Sequence, residues 1–268
     1  MAHDPAEIAD IRLSTLAQLM PLGRWQVQLA HDRGHHLLLW ITRGQGTGLL
    51  DGGRIGFGAH NALFVPARHL MALDIGRGCL GQALLIPGTS AIPLPARPLL
   101  LRIRAAADQV ELTGLLDALA REQSGTRALG ATAMESWAQL AAIWLRRQSD
   151  HDDLPRPSDR ARDLTRRYGA RLVQAFDSGA TVAEHAAAID VSPAHLTRLC
   201  MTATGLGAAE LLHQRLEHAA RGLICTSPAN LGDIARHLGF ASSAVFGRFI
   251  RRRTGLTPRA LRRNNHPK

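Results

Sequence analysis

Hydrophobic residues recur with two different periods along this chain of 268 residues, and the period changes near residue 100. Before that point apolar and polar residues alternate at Trp25, Val27 and Leu29, and short apolar runs cover residues 36–41 and 61–66. Alternation and short apolar runs separated by glycine-rich turns are typical of β-strands. The pattern therefore predicts a small N-terminal β-barrel or sandwich.

After residue 99 the apolar residues recur every three or four positions, which is typical of amphipathic helices. Two such series are Leu112, Leu115, Leu116 and Leu119, and Met134, Trp137, Ala141 and Trp144. They predict helices at about 108–122 and about 127–148. The apolar residues of the second helix, with Leu140, pack either in the core of the monomer or along a dimer seam.

Residues 149–158, SDHDDLPRPS, are acidic, contain prolines and show no apolar periodicity. Such a composition is typical of a linker, and we expect it to separate two domains. Helical periodicity resumes at residues 160–176.

The last hundred residues contain the same helical pattern twice, at residues 181–205 (the first unit) and 230–258 (the second unit). In each unit a short helix begins at a capping residue, Thr181 or Asn230. A small alanine follows, which lets two helices pack closely, and then a turn, which in the second unit contains Gly239. The second helix of each unit begins at Ser192 or Ser242. Two helix–turn–helix units, joined by a helix at 207–224, are therefore predicted.

The most specific residues of the second unit are Asp233, Ile234, Ala235, Gly239, Phe240, Phe246, Arg248, Phe249, Arg251, Gly255, Thr257 and Pro258, followed by an arginine pair. With this block, residues 181–263 resemble the DNA-binding domain of AraC/XylS-type transcriptional regulators. The chain departs from that family at His185, where leucine is usual, and near Val245 and Gly247, where an aromatic residue and a serine are usual.

The N-terminal segments HHLLLWITRGQGTGLLDGG and GAHNALFVPARH resemble the cupin-type sensor domain often attached to such regulators. The two resemblances together imply a multidomain chain. Residues 1–149 would form a cupin-like β-barrel with a helical connector or dimerisation region, residues 150–158 a linker, and residues 159–268 an all-α tandem helix–turn–helix domain.

Charge is distributed unevenly over the chain, whose net charge is +10. Residues 1–157 hold 15 basic and 14 acidic side chains, whereas residues 158–268 hold 17 basic and 8 acidic ones. Positive charge concentrated in one half indicates a polyanion as partner, here double-stranded DNA. No apolar run is long enough to predict a membrane span. The acidic N-terminus is unlike a secretory signal, and the three scattered cysteines favour a reducing cytoplasm.

Side chains at the start of a recognition helix contact base edges in the major groove. In the first unit Leu196, Leu199 and Cys200 fall on the inward stripe. The residues expected to face DNA are Ala194, His195, Thr197 and Arg198, and Met201 is expected to lie on the same side of the helix. Arg198 contacts either a base or a phosphate, since sequence alone does not separate these roles.

The second unit offers poorer chemistry for base contacts, because Val245, Phe246, Phe249 and Ile250 are expected to point inward. Its predicted DNA-facing residues are Ser243, Ala244, Gly247 and Arg248, with Arg251, Arg262 and Arg263 for phosphates. Further charge is expected from Arg252, Arg253 and Arg259. We therefore expect the second unit to contribute affinity more than sequence discrimination.

The histidines of the N-terminal part do not form a metal-binding pattern. His35 and His36 are adjacent, so on a strand only one of them can enter the barrel. We predict neither metal, cofactor nor catalytic residues. His36, Trp40 and His69 are the candidates for contacting a small molecule, although ordinary buried histidines explain the pattern equally well.

These observations favour a cytoplasmic, sequence-specific DNA-binding regulator, controlled by a small-molecule effector bound in the N-terminal barrel. We expect a homodimer without membrane contact, and RNA polymerase as a partner if the protein is an activator. Two alternatives remain open at this point. One is a metal-dependent cupin enzyme with an accessory DNA-binding domain, and the other is a ligand-independent DNA binder whose pocket is filled by side chains.

Overall fold

The structure is a computed structural model that describes residues 10–154 and 160–265. Its N-terminal part contains eight strands: β1 (Arg12–Thr15), β2 (His35–Arg43), β3 (Gln45–Leu50), β4 (Gly53–Gly58), β5 (Asn61–Val65), β6 (Ala72–Ile75), β7 (Leu80–Pro87) and β8 (Leu99–Arg102). They pair antiparallel in a five-stranded sheet, β1-β7-β2-β5-β8, and a three-stranded sheet, β4-β3-β6. The predicted sheet-rich domain is confirmed, as two packed sheets whose described strands do not pair into one closed barrel.

Both faces of the central strand β2 are buried, each in a different core. Leu37, Leu39 and Ile41 point into the space between the two sheets, where they pack among buried apolar side chains of both. Leu38 and Trp40 point the other way, toward helices α2 (Ala106–Ser124) and α3 (Gly130–Arg147). This double burial explains the unbroken apolar run in the sequence.

Helices α2 and α3 confirm the two helices predicted from periodicity. Met134 and Trp144 of α3 are buried against the sheet, and Trp137 is half-buried beside them. Leu140 is 45% exposed and lies outside this core. The predicted stripe of α3 therefore divides between the monomer core and the surface.

The strand predicted around Trp25, Val27 and Leu29 is wrong, because Trp25–Gln28 forms one turn of helix, α1. The indole Nε1 of Trp25 donates to the carbonyl oxygen of Leu22, and the side-chain oxygen of Gln26 accepts from the backbone N–H of Leu22. These local bonds close the turn. An alternation only five residues long fits a helical turn with one buried residue, here Val27, as well as it fits a strand.

The start of the predicted linker packs against the N-terminal domain. Residues Ser149–His151 form a short 3-10 helix, Asp152 bridges to Leu101 of β8, and Leu154 is buried in the core between the sheets. Residues 155–159 of the predicted linker lie outside the described residues. Residues 152–154 of the predicted linker therefore contact the N-terminal domain, and apolar periodicity cannot detect a single buried leucine such as Leu154.

The C-terminal part is helical: α4 (Arg160–Ala175), α5 (Val182–Ala187), α6 (Pro193–Thr204), α7 (Ala208–Thr226), α8 (Leu231–His237), α9 (Ser243–Thr254) and α10 (Pro258–Asn265). Helices α5 and α6 form the first unit, α8 and α9 the second, and α7 joins them. One core, which includes Tyr168, Leu196, Leu211, Phe246 and Ile250, connects all of these elements. The tandem helix–turn–helix architecture predicted from sequence is confirmed.

Candidate nucleic-acid interface

The four short helices of the two units begin at the predicted caps. The hydroxyl of Thr181 accepts from the backbone N–H of Glu184, and the Glu184 carboxylate accepts from the backbone N–H of Thr181. This reciprocal pair is a capping box. Ser192 accepts from the N–H of His195 over 3.3 Å, and Ser242 accepts from that of Val245 over 3.3 Å. Asn230 caps α8 in the same way, through the N–H of Asp233.

The turns between the paired helices have the same backbone conformation in both units. Asp190 and Gly239 occupy corresponding positions and have φ angles of 60° and 75°. At Gly239 there is also no space for a side chain, since a Cβ there would clash with the backbone nitrogen of Gly179. The alanines that allow close helix packing, Ala186 and Ala235, are both buried as predicted.

The first recognition helix, α6, presents an exposed polar face beside a buried apolar one. Leu196 and Cys200 are buried, and Leu199 is half-buried. Ala194, Thr197 and Arg198 are exposed, and His195 is half-buried. An Nη2–H of Arg198 donates to Nδ1 of His195 over 2.9 Å. The four side chains predicted to face DNA thus lie on one surface, with the two longest already in contact.

A concave groove of about 1190 Å³ lies in the second unit, between the N-terminal ends of α8, α9 and α10. It is lined by all seven residues predicted for the DNA contacts of this unit: Ser243, Ala244, Gly247, Arg248, Arg251, Arg262 and Arg263. Five arginines and no acidic side chain belong to its lining. Cations and helix N-termini both attract phosphate oxygens, so the groove suits a phosphodiester backbone.

Sequence reasoning missed part of this groove and misplaced Val245. The N-terminal residues of α8 and α10, including Leu231, Gly232 and Thr257, also line it. The sequence alone does not show that the N-terminal ends of α8, α9 and α10 lie next to one another in the fold. Val245 was expected to point inward but is 38% exposed, because Phe246 and Ile250 alone fill the buried stripe of α9.

Two of the expected phosphate-binding arginines are engaged inside the protein. Arg262 is half-buried and donates through Nε to the carbonyl oxygen of Ile224 and through Nη2 to that of Ala229. Arg253 binds Glu210 at 2.8 Å through both terminal nitrogens and Glu217 at 2.7 Å through Nε. Neither is the free surface cation that the sequence suggested. Arg248, Arg251 and Arg263 remain exposed along the groove.

Helix α7 holds the two units at a fixed spacing. It contains 19 residues and is therefore about 28 Å long. The Tyr168 hydroxyl donates to the carbonyl oxygen of Ala208 at its start, and the ion pairs of Arg253 attach α9 to its middle. The hydrogen bonds from Arg253 also hold the pKa of Glu210 below its usual value. Helices α4 and α9 are thus both bonded to α7, which lies between the two units in the chain.

The three candidate ligand residues of the N-terminal domain do not converge on the space between the sheets. Trp40 faces α2, where its Nε1 donates to the hydroxyl of Thr113 over 3.2 Å, and His36 lies on the same side, stacked on Phe64. His69 lines a cavity of about 140 Å³ between the β3–β4 turn and α4. Trp40 and His36 face the helices because even-numbered positions of β2 point to that side of the sheet, and their role as ligand contacts stays a prediction.

His35 and His36 point to opposite faces of β2, as predicted. His35 is buried without a hydrogen-bond partner for either ring nitrogen, and burial lowers its pKa to about 3. Within residues 10–154 and 160–265, no three His, Cys, Asp or Glu side chains gather as metal ligands. Cys79, Cys200 and Cys225 are free thiols. None of the described helices combines the length and apolar character required to span a bilayer.

Comparison with known proteins finds matches for the C-terminal segment. Residues 185–264 match the family described as a helix-turn-helix domain. The chain is 31% identical to the regulatory protein PocR of Salmonella typhimurium over 90 residues, and this match covers 32% of the chain. The match spans only about 29% of the length of PocR.

Solved structures of similar proteins include ToxT from Vibrio cholerae and the C-terminal domain of AraT, a response regulator from Geobacillus stearothermophilus. ToxT aligns with 93% of this chain and 96% of its own, at 9% identity and a TM-score of 0.42. The AraT domain aligns with 42% of this chain and 92% of its own, at 19% identity and a TM-score of 0.38. The segment that resembles AraC/XylS-type regulators is thus also the segment with the family match.

Proposed function

We propose that this chain, whose residues 185–264 match a helix-turn-helix domain, is a sequence-specific DNA-binding transcriptional regulator of the AraC type. The observation that carries the proposal is the basic groove of the second unit, together with the exposed polar face of the first unit's recognition helix. Double-stranded DNA is the partner that fits both, because it offers phosphates to the arginines and base edges to α6.

The two units have different roles in this proposal. The first reads bases, since His195 and Arg198 can donate to guanine N7 or O6 and the methyl groups of Ala194 and Thr197 can contact a thymine methyl. The second, with Ser243, Ala244 and Gly247 between its arginines, supplies mainly phosphate contacts. Such contacts set the register on the duplex and most of the salt dependence of binding.

The N-terminal domain, residues 1–149, is the regulatory part in this account, and residues 159–268 form a separate DNA-binding unit. Arg162 of α4 donates to the carbonyl oxygens of Leu50 and Asp51, and this contact between the two parts gives the first a means of changing how the second is held. A small-molecule effector that binds one arrangement more tightly would shift this equilibrium. His69 is the candidate contact, although a cavity of 140 Å³ is below the size usual for a ligand site.

A ligand-independent DNA binder is the second candidate, and one observation favours it. The space between the two sheets is filled by buried side chains, among them Leu39, Leu50, Leu63, Met71 and Leu73. A domain with such a filled interior regulates through its surface contacts instead. In either case the family match favours a regulator over an enzyme, and we place its action in the cytoplasm, as a homodimer that contacts RNA polymerase if it activates.

Selection from a pool of random duplexes tests the proposal. The purified full-length chain should enrich a defined sequence and bind it at least about a thousandfold more tightly than a shuffled duplex at physiological salt. Adding excess shuffled DNA should not displace the selected site. Equal affinity for selected and shuffled duplexes, or no binding to either, would contradict sequence-specific regulation.

A further inference from the structure

Two histidines stack on each other where the N-terminal domain contacts helix α7. The rings of His31 and His218 lie 4.4 Å apart between centroids, at an interplanar angle of 12°. His31 is fully buried, and the ring of Trp25 packs edge-on against His218 at 5.5 Å. The contact joins residues 187 positions apart in the sequence, on opposite sides of the linker region.

Hydrogen bonds hold the ring of His31 in its neutral form. Its Nδ1 lies 2.8 Å from the carbonyl oxygen of Leu29 and therefore carries the proton that is donated. Its Nε2 accepts from Nε–H of Arg33 over 3.1 Å. A second proton on His31 would have to displace Arg33, since a guanidinium only donates. The Nε2 of His218 donates to the carbonyl oxygen of Gln26 over 3.1 Å.

The charges around the pair are mostly positive. Arg33 comes from the N-terminal side, and Arg215 and Arg221 come from α7. Arg215 binds the buried carboxylate of Asp32 at 2.7 Å and lies over the ring of Phe176. A new positive charge would therefore be placed near Arg33 and Arg215 if it formed on His31, and near Arg221 as well if it formed on His218.

The acidic groups near the pair are already paired. Asp32 also lies 3.7 Å from Arg68, so its carboxylate is shared by two arginines. Glu217, the acidic neighbour on α7, pairs with Arg221 and Arg253. Arg221 in turn lies over the ring of Trp25. The described surroundings thus hold no unpaired carboxylate to balance a protonated imidazole.

We propose that His31 and His218 form an acid-sensitive latch, which holds α7 against the N-terminal domain at neutral pH and releases it on protonation. Because α7 joins the two helix–turn–helix units, the latch links pH to how these units face DNA. The effect on DNA contact rests on the proposed function, whereas the latch itself does not.

The sign of the effect follows from the direction of the shifts. Burial, the neighbouring histidine and the arginines lower the pKa of both rings in the closed arrangement. Released rings return toward the ordinary pKa of about 6.5. The contact is therefore fully stable above about pH 6.5 and weakens as the pH falls. Between about pH 7.5 and about pH 5.5 each histidine should shift the equilibrium about tenfold, and both together up to about a hundredfold.

Hydrogen–deuterium exchange of the full-length chain without DNA tests the latch at about pH 7.5 and about pH 5.5, with rates corrected for intrinsic exchange. Residues 25–33 and 208–226 should open at least about tenfold more often at the lower pH, as seen from faster exchange in the peptides that cover them. Peptides from β2 serve as the internal control and should not change. No localised increase at the lower pH would overturn the proposal.

A matched variant separates titration from general acid instability. In the double variant H31N/H218Q the side-chain amides keep a hydrogen-bond donor and an acceptor but do not take up a proton. This variant should remain closed at about pH 5.5, whereas D32N, which weakens the Arg215 pair, should be open at both pH values. If H31N/H218Q is already open at neutral pH, the single variant H218Q is the test. Its increase in exchange between about pH 7.5 and about pH 5.5 should then be about tenfold smaller than that of the wild type. An unchanged acid response in either histidine variant would overturn the latch. Because DNA is absent, this failure is distinct from failure of the DNA-binding proposal.

Discussion

Arg198 donates a hydrogen bond to Nδ1 of His195 over 2.9 Å, between neighbouring turns of the first recognition helix. A guanidinium has no acceptor, so Nδ1 must be unprotonated and neutral His195 carries its proton on Nε2. The pair therefore presents a defined imidazole donor beside a guanidinium whose rotation is restricted. Restricting side chains before binding lowers the entropy lost when they meet the bases.

Alanine substitutions at this pair should weaken specific binding. Replacing His195 or Arg198 should each cost about 1–3 kcal/mol for the selected duplex if that residue contacts a base well. The double variant should cost less than the sum, since the two side chains interact. Titrations with the selected and shuffled duplexes measure both effects. Arg236, an exposed arginine paired with Asp233 on α8, is the control, and R236A should leave specificity unchanged.

If H195A and R198A weaken the selected and the shuffled duplex by the same factor, the pair contacts phosphates and base recognition lies elsewhere.

Two adjacent arginines of α9 offer a matched test of the groove. Arg251 lines it, whereas Arg252 is equally exposed but does not. R251A should weaken binding to all duplexes and reduce the slope of log affinity against log salt by about 1, because one phosphate contact is lost. R252A should leave the slope nearly unchanged. Equal slopes for the two variants would remove the groove from the DNA-binding surface.

His185 should reduce the stability of the C-terminal domain. It is completely buried, and neither ring nitrogen has a hydrogen-bond partner. H185L should raise the free energy of unfolding by about 1–3 kcal/mol, since the unsatisfied polar atoms are removed. H237L, at an exposed histidine of α8, is the control and should change it little.

The effect of His185 should also depend on pH. Burial lowers its pKa in the folded state, so the unfolded state binds a proton first. Stability is then lost as the pH falls below about 6.5, and H185L should reduce this loss. Chemical denaturation at several pH values measures it. A parallel loss in wild type and H185L would show that other groups control acid stability.

Substitution should destabilise the protein at the turn of the second unit but have little effect at the turn of the first. G239A forces alanine into a left-handed backbone and against Gly179, and should destabilise the chain by at least about 2 kcal/mol. D190G, at the corresponding position of the first unit, should stay within about 0.5 kcal/mol of wild type, because glycine accepts this conformation without strain. Thermal unfolding followed by circular dichroism measures both. Similar losses in the two variants would contradict the conformational explanation.

Local signals made much of the fold predictable. Caps such as Thr181 and Ser192, the buried alanines and the turn glycine act within one or two helical turns, so the sequence around them specifies the two units. The same holds for the apolar periods of α2 and α3. The alternation at Trp25 failed because five residues do not distinguish a strand from a turn of helix.

Contacts between distant residues were not predictable from one sequence. The exposed or engaged state of an arginine depends on partners elsewhere, as Arg262 shows through its bonds to Ile224 and Ala229. The pairing of Asp32 with Arg215 likewise joins residues 183 apart. Local pattern places such side chains on an element but does not say which carbonyl or carboxylate the fold brings to them.

We expect one chain to contact DNA with two unequal recognition helices, which α7 joins. Hydroxyl-radical footprinting of the full-length chain on its selected duplex tests this most directly. Successive major grooves lie about 34 Å apart, so two protected segments about 10 base pairs apart should appear on one face of the duplex. H195A should weaken protection in one segment and R251A in the other. A symmetric footprint in which both substitutions affect the two halves equally would contradict the claim.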